Sequence, residues 1–185
     1  STVNKAVIRN ERESDYNEVE RITREAFYNL YIPGCMEHYL VRVMRGHEDF
    51  VPELDLVLEL DGQVIGNIMY TKAALIEYSL QRAAEMGYDA VVIVGSPANY
   101  VHLGFQSCRR YDICVENGKY PAAMMVKELS DGALKGKKWV YRDSPVMSAI
   151  DPREAHRYDD TLTPMEKKKL PSQEEFYILS NSFIE

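Results

Sequence analysis

The chain has 185 residues, 45% of them hydrophobic, which suffices for one well-buried globular domain and is short for two. A formal charge of −7, from 22 basic and 29 acidic residues, argues against nucleic acid as the principal partner, since phosphate neutralisation needs a basic face, and is compatible with a cationic amine substrate. No apolar run approaches the about 18 residues of a membrane span, and Ser1-Thr2-Val3-Asn4-Lys5 lacks the hydrophobic region of a signal peptide, so a cytoplasmic protein without a membrane partner is expected.

Val3 to Arg9 alternates enough to form a first strand. Ser14 can cap a helix carrying Asp15 and Glu18 in its first turn, with Tyr16, Val19, Ile22, Ala26 and Phe27 recurring at helical spacing. An aromatic loop, Tyr28 to Ile32, and a Pro33-Gly34 break precede a second helix with Met36, Tyr39, Leu40, Val43 and Met44 on one side, stopping near Gly46. Leu54 to Leu60 and Gln63 to Thr71 predict a hairpin, because Asp61-Gly62 favours the primed turns that match strand twist.

A conflict follows. Strand character persists to Thr71, an amphipathic helix has begun by Ala74, and Lys72-Ala73 supplies neither turn residue nor N-cap. We read this as a segment missing near residues 72–74, roughly 15 to 30 residues long on ordinary strand and loop lengths. The other reading is a natural deletion that leaves a degenerate fold.

Gly87 suits the end of that helix, and Ala90 to Val94 is a charge-free, β-branched run expected to form a strand buried on both faces. Gly95-Ser96-Pro97 ends it sharply. Asn99 to Leu103 has room for barely more than one helical turn before Gly104, which suits a left-handed position, and Phe105 can pack back over that turn. The product is a strand, a tight turn and backbone N–H groups facing the strand's carboxyl end, where open α/β sheets place ligands. Ser107 to Val115 and Ala122 to Leu129 read as two more strands linked by the Glu116-Asn117-Gly118-Lys119 turn, and Lys137 to Tyr141 as another. Residues 143–185 read as helical, with capping-box-like starts at Asp151, Thr163 and Ser172.

The run Gly95-Ser96-Pro97-Ala98-Asn99-Tyr100-Val101-His102-Leu103-Gly104-Phe105 resembles the G-x-P-x-x-Y-x-x-x-G-F motif of a bacterial subgroup of the GNAT superfamily of N-acetyltransferases. Similarity continues upstream through residues 75–86 and downstream through Pro121 to Leu129 and Gly132-Ala133-Leu134, covering roughly residues 5 to 142. The resemblance implies an α/β fold in which helices flank a mixed, twisted central sheet. It implies a domain over residues 1–142, with residues 143–185 as a helical extension packed on it. In that family a further central strand and a glycine-rich pyrophosphate loop stand where the turn chemistry fails here.

The implied activity is transfer of an acetyl group from acetyl-CoA, a cosubstrate, to a primary amine of a small-molecule or peptide acceptor, by direct attack in a ternary complex and without a metal. Tyr100 would be the catalytic donor to the departing thiolate. A phenol near pKa 10 facing a thiol near 8.5 makes full transfer uphill by about 1.5 units, about 2 kcal/mol, so hydrogen-bond donation with late proton movement is the expected role. Ala74 and Leu75 would lend backbone N–H groups to the pyrophosphate, Ser96 and Asn99 would border the pantetheine arm, and Tyr28 and Tyr31 would face the acceptor. Many subgroup members carry an aromatic residue at the position of Asn99, which could equally cap the short helix; Tyr28 and Tyr31 could equally be core or dimer-interface aromatics.

No residue can be nominated as oxyanion donor, and Glu37, His38, Glu59 and His102 are all open as general base. Cys35-x-x-His38 lacks a second ligand pair, and Cys108 and Cys114 read as core thiols; an odd count of three cysteines fits a reducing compartment. Lys167-Lys168-Lys169 reads as a solvated helix face. A homodimer is open, and a non-catalytic acyl-CoA sensor or interaction module on the same fold is the alternative to an enzyme.

Overall fold

The computed structural model describes residues 5–69 and 78–185. These fall into two compact units, one holding residues up to 69 with 144–174 and the other residues 78–143 with 175–185. The proposed missing segment at residues 72–74 lies outside the described residues, as do Ala74 and Leu75.

In the first unit, β1 (Ala6–Asn10), β2 (Leu56–Leu60) and β3 (Gln63–Ile68) form an antiparallel sheet in sequence order. The hairpin is as expected: Leu60 pairs with Gln63, and Asp61 and Gly62 take φ of 50° and 82°, the two positive values of a type I′ turn. Leu54 lies in a 3-10 turn (Pro52–Leu54), so β2 starts later than the sequence suggested, because Pro52 opens that turn. α1 (Tyr16–Phe27) and α2 (Glu37–Met44) pack on one another and α1 packs on β3, with Val19, Val41, Val57 and Val64 closing the core. Ser14 sits inside a 3-10 turn (Glu13–Asp15) rather than capping α1, and Asp15 takes over the local work by accepting the Arg12 N–H.

Arginines are buried here, and each is paired with carboxylates. Arg45 grips both oxygens of Glu11 at 2.8 and 2.7 Å, reaches Glu20 at 2.9 Å and stacks 4.0 Å from the Tyr16 ring centroid. α5 (Pro145–Ser148) and α6 (Pro152–Asp160) pack on α2, and α6 adds Tyr158, whose hydroxyl donates to Glu20 at 2.5 Å, and Asp159, which accepts from Arg24 at 2.8 Å. The Asp151 start of α6 is as read: its carboxylate accepts the Arg153 N–H at 2.9 Å, with Pro152 next.

Two helix expectations fail. No helix starts at Thr163, because side chains of the first unit claim the carbonyls a helix would use: Arg24 takes Thr163 O, Tyr28 takes Met165 O and Asn29 takes Glu166 O. Lys167 to Lys169 therefore lie exposed on an irregular segment, not on a helix face. α7 (Pro171–Ser180) begins at Pro171, with Ser172 already helical and its hydroxyl donated to Leu30 O.

In the second unit, α3 (Tyr78–Glu85) ends in a Schellman motif: Gly87, at φ 89°, donates to Ala84 O and Tyr88 donates to Ala83 O. β4 (Ala90–Val94), β8 (Met124–Glu128) and β5 (Gln106–Ser107) form an antiparallel sheet in the order β4-β8-β5. β4 is not buried on both faces. Val91 and Ile93 are buried while Val94 is 58% exposed, and among the described residues β4 pairs with β8 alone, so its other edge carries no strand. The single strand expected over Ser107 to Val115 is broken: the Ser107 hydroxyl accepts the Arg109 N–H and starts a 3-10 turn (Cys108–Tyr111), and Asp112 turns left-handed at φ 54°. Only Ile113–Cys114 (β6) resumes, pairing in parallel with β9 (Trp139–Val140). β7 (Tyr120–Pro121) pairs with β10 (Phe183–Ile184). Cys108, Ile113, Met124, Val126 and Leu134 form the core, so Cys108 packs there as expected; Cys114 is buried and its thiol points at Trp139 O. Among the described residues no helix is long and apolar enough to cross a membrane.

Asp55, 5% exposed and accepting from Asn67 at 3.0 Å, is pushed up to about 8 by burial and by the neighbouring Glu11 carboxyl. The folded chain thus keeps a proton there that the unfolded chain gives up near 3.8. Stability is expected to fall as pH rises from about 4 to about 8, by at most about 1.4 kcal/mol per pH unit from this group, and to level off above. Asp55→Asn is expected to flatten that slope in urea unfolding across the window; an unchanged slope would assign it elsewhere.

Candidate active site

β4 delivers the chain to Gly95, whose N–H donates to Ala123 O at 2.9 Å and so extends the β4–β8 ladder by one step. The chain then turns. Ser96 is extended at φ −74° and ψ 129°, Pro97 sits at the first helical position, and α4 (Pro97–Tyr100) follows with Asn99 N–H bonded to Ser96 O. A 3-10 turn (Val101–Leu103) leads to Gly104, left-handed at φ 92° as the sequence required, whose N–H closes on Val101 O. Phe105, 1% exposed, returns beneath the turn and donates its N–H to Tyr100 O.

Tyr100 is fixed from two sides by packing alone. Its ring meets Phe105 edge-on, with centroids 5.8 Å apart at 71°. On the other side it occupies the space a side chain at residue 95 would need: a Cβ there would lie 2.6 Å from Tyr100 Cε2 and 3.3 Å from Cδ2. The ring position is therefore set by apolar contact, and the hydroxyl is left unspent.

The structure brings Ser96, Asn99 and Tyr100 together on this one turn. None of the three makes a side-chain hydrogen bond among the described residues, and the Ser96 hydroxyl does not cap α4. Asn99 is exposed. The turn therefore keeps polar capacity that a folded protein ordinarily spends internally. Sequence reasoning missed Lys127, whose ammonium donates to Leu103 O at 2.7 Å and lies where a Cβ on Gly104 would come within 3.3 Å. The available signal was a lysine following the buried Met124, Met125 and Val126, where a charge needs a specific partner.

Tyr28 and Tyr31 lie in the first unit. Tyr28 ends α1, donates its hydroxyl to Met165 O at 3.0 Å and has Arg24 5.3 Å from its ring centroid; burial pushes its phenol up. Tyr31 packs on Phe27 with centroids 6.1 Å apart. Of the open bases, Glu59 is paired with Arg9 at 3.2 Å, and Glu37 accepts the Met36 N–H while burial raises its carboxyl. His38 is fully buried, with Nδ1 3.4 Å from Cys35 Sγ and Nε2 2.9 Å from Asp159 Oδ1 without hydrogen-bond alignment; burial holds its imidazole below the usual range. His102 is exposed beside the turn. No group of three metal-ligating side chains occurs among the described residues.

No family model and no curated protein matches the chain. Among solved structures it matches the GNAT family N-acetyltransferase YhbS from Escherichia coli, in complex with CoA, with a TM-score of 0.67 at 23% identity over 82% of this chain and 96% of that one. The chain thus has a GNAT fold, the mixed α/β architecture that the motif around Tyr100 implied.

Gly95→Ala is expected to cost about 1 to 3 kcal/mol, the range for overpacking. In a Tyr100→Ala background the cost is expected to fall by at least about half, since the clashing ring is gone, a coupling that a double-mutant unfolding cycle measures. Additive costs would show that the ring does not define the space at Gly95.

Proposed function

We propose that the chain is an acetyl-CoA-dependent N-acetyltransferase of the GNAT superfamily that acetylates a primary amine by direct attack in a ternary complex. The observation that carries this reading is Tyr100, packed against Gly95 and Phe105 at the carboxyl end of β4 with its hydroxyl unspent. The fold likeness to a protein solved with CoA is consistent with it.

The residues present fit such a cosubstrate. The edge of β4 that pairs with no other strand among the described residues suits an extended amide chain such as pantetheine, which can pair with backbone groups as an added strand does. Ser96 and Asn99 offer hydrogen bonds at its border. Ala74 and Leu75 remain our proposal for the pyrophosphate, and Tyr28 and Tyr31 for the acceptor side.

In the reaction the amine nitrogen bonds to the acetyl carbonyl carbon, the carbon–sulfur bond breaks, and the amine sheds a proton. Tyr100 donates a hydrogen bond to the departing sulfur and its proton follows as the thiol forms; the proton lost by the amine reaches solvent and the tyrosine is reprotonated from it. The contribution lies in the transition state, where sulfur gains charge.

Amine-dependent release of free thiol from acetyl-CoA is expected with some member of an amine panel. Tyr100→Phe, which keeps the ring packing and removes only the hydroxyl, is expected to lower kcat by about 10- to 100-fold with little change in KM for acetyl-CoA. Binding without turnover on any amine, indifferent to Tyr100→Phe, would instead favour an acyl-CoA sensor.

A further inference from the structure

The second unit contains a cavity of about 490 Å³ at the far end of its sheet from Tyr100. The register fixes this placement: Glu128, in the cavity wall, pairs with Ala90, whereas Val94, next to Gly95, pairs with Met124. The cavity gathers the cations Arg110, Lys135, Lys137 and Lys138 against the carboxylates of Asp112 and Glu128. This reverses the balance of a chain whose net charge is −7.

The two carboxylates are already engaged. Glu128 accepts the Leu134 N–H at 3.0 Å, and Asp112 accepts the Tyr120 hydroxyl. The cations are not: the side chains of Arg110, Lys135 and Lys138 have no hydrogen-bond or ion-pair partner among the described residues, and Lys137 Nζ rests 5.6 Å from the Trp139 ring centroid. Like charges brought together repel, a cost that vanishes when an anion joins them.

The loop that carries the lysines is built rather than loose. Ala133 donates to Ser130 O and Lys135 to Gly132 O, while Trp139 closes the far side through its indole N–H to Leu134 O at 3.1 Å and its backbone N–H to Asp112 O. Gly132 and Gly136, at φ 75° and 79°, make the reversals that bring the lysines to the cavity.

We propose that this cavity binds a small molecule bearing several phosphate groups, at a site separate from the turn that holds Tyr100. A guanidinium offers phosphate a planar fork, and lysines surround it as mobile point charges. The volume lies within the ordinary range for small-molecule sites and exceeds that of a single ion. Four cations confined to one open pocket of a chain whose net charge is −7, rather than a basic stripe, distinguish it from a nucleic-acid face.

The test uses the full chain without coenzyme. Inorganic triphosphate is titrated by calorimetry at fixed ionic strength, with the fluorescence of the single tryptophan, Trp139, locating the event. Saturable binding with a tryptophan response is expected, weakened about tenfold or more in the Lys135→Gln, Lys138→Gln double variant and severalfold in Arg110→Lys, which keeps the charge and loses the fork. Neither variant should lower the unliganded melting temperature, since the replaced side chains have no internal partner and removing two of the like charges relieves their repulsion. Citrate at the same ionic strength should bind at least about fivefold more weakly. No saturable heat, binding untouched by the substitutions, or equal affinity for citrate would overturn the proposal. None of these outcomes depends on acetyl transfer.

Discussion

The missing side chain at residue 95 is the constraint from which the geometry of the candidate site follows. Because Gly95 has no Cβ, the Tyr100 ring can lie against the backbone at the end of β4, in a space that any other residue would fill. Gly95 is itself placed by the β4–β8 register through its bond to Ala123 O, so the position of the tyrosine is inherited from the sheet. The return path is equally determined: Gly104 reverses the chain, Lys127 secures the Leu103 carbonyl, and Phe105 wedges under the ring. A hydroxyl whose ring is held by packing alone is free to face a reacting sulfur.

The first unit is organised differently, by buried charge. Arg45, just after α2, joins Glu11 and Glu20 of α1, while Arg24 of α1 joins Asp159 and Thr163 O and so fastens α6 and the segment after it to α1. Such pairs cost much of what they return through desolvation, and removing one partner leaves the other charge buried without compensation. A geometric effect is clear in the segment after α6, where side-chain bonds keep residues 163–166 out of a helix although Thr163-Pro164 begins like one.

Much of the fold was legible because local rules decided it. Asp61-Gly62 specified a type I′ hairpin, Gly87 a Schellman ending, Asp151-Pro152 a helix start, and Gly95 to Phe105 the strand, turn and short helix of the site. The failures arose where a side chain, near or distant in sequence, overrode the local pattern. Ser107 capped a 3-10 turn inside what reads as one strand, and Thr163 lost its helix to Arg24, Tyr28 and Asn29. The buried face of α2 includes His38, which no apolar periodicity marks, because Asp159 and Cys35 reach it from over a hundred residues away and from one turn earlier, respectively. Lys127 was missed for the same reason, since its partner belongs to another element. Ser96, Asn99 and Tyr100 share one turn and could be read together; Tyr28 and Tyr31 belong to the first unit, and no local rule relates them to that turn.

The central claim is that Tyr100 faces the sulfur of a bound acyl-CoA, and a crystal structure of the full chain with CoA tests it most directly. The account expects the coenzyme's pantetheine arm along β4 and its sulfur within hydrogen-bonding reach of the Tyr100 hydroxyl, with the ring still seated on Gly95. A coenzyme bound with its sulfur remote from Tyr100, or a tyrosine that swings off Gly95 to another partner, would contradict it.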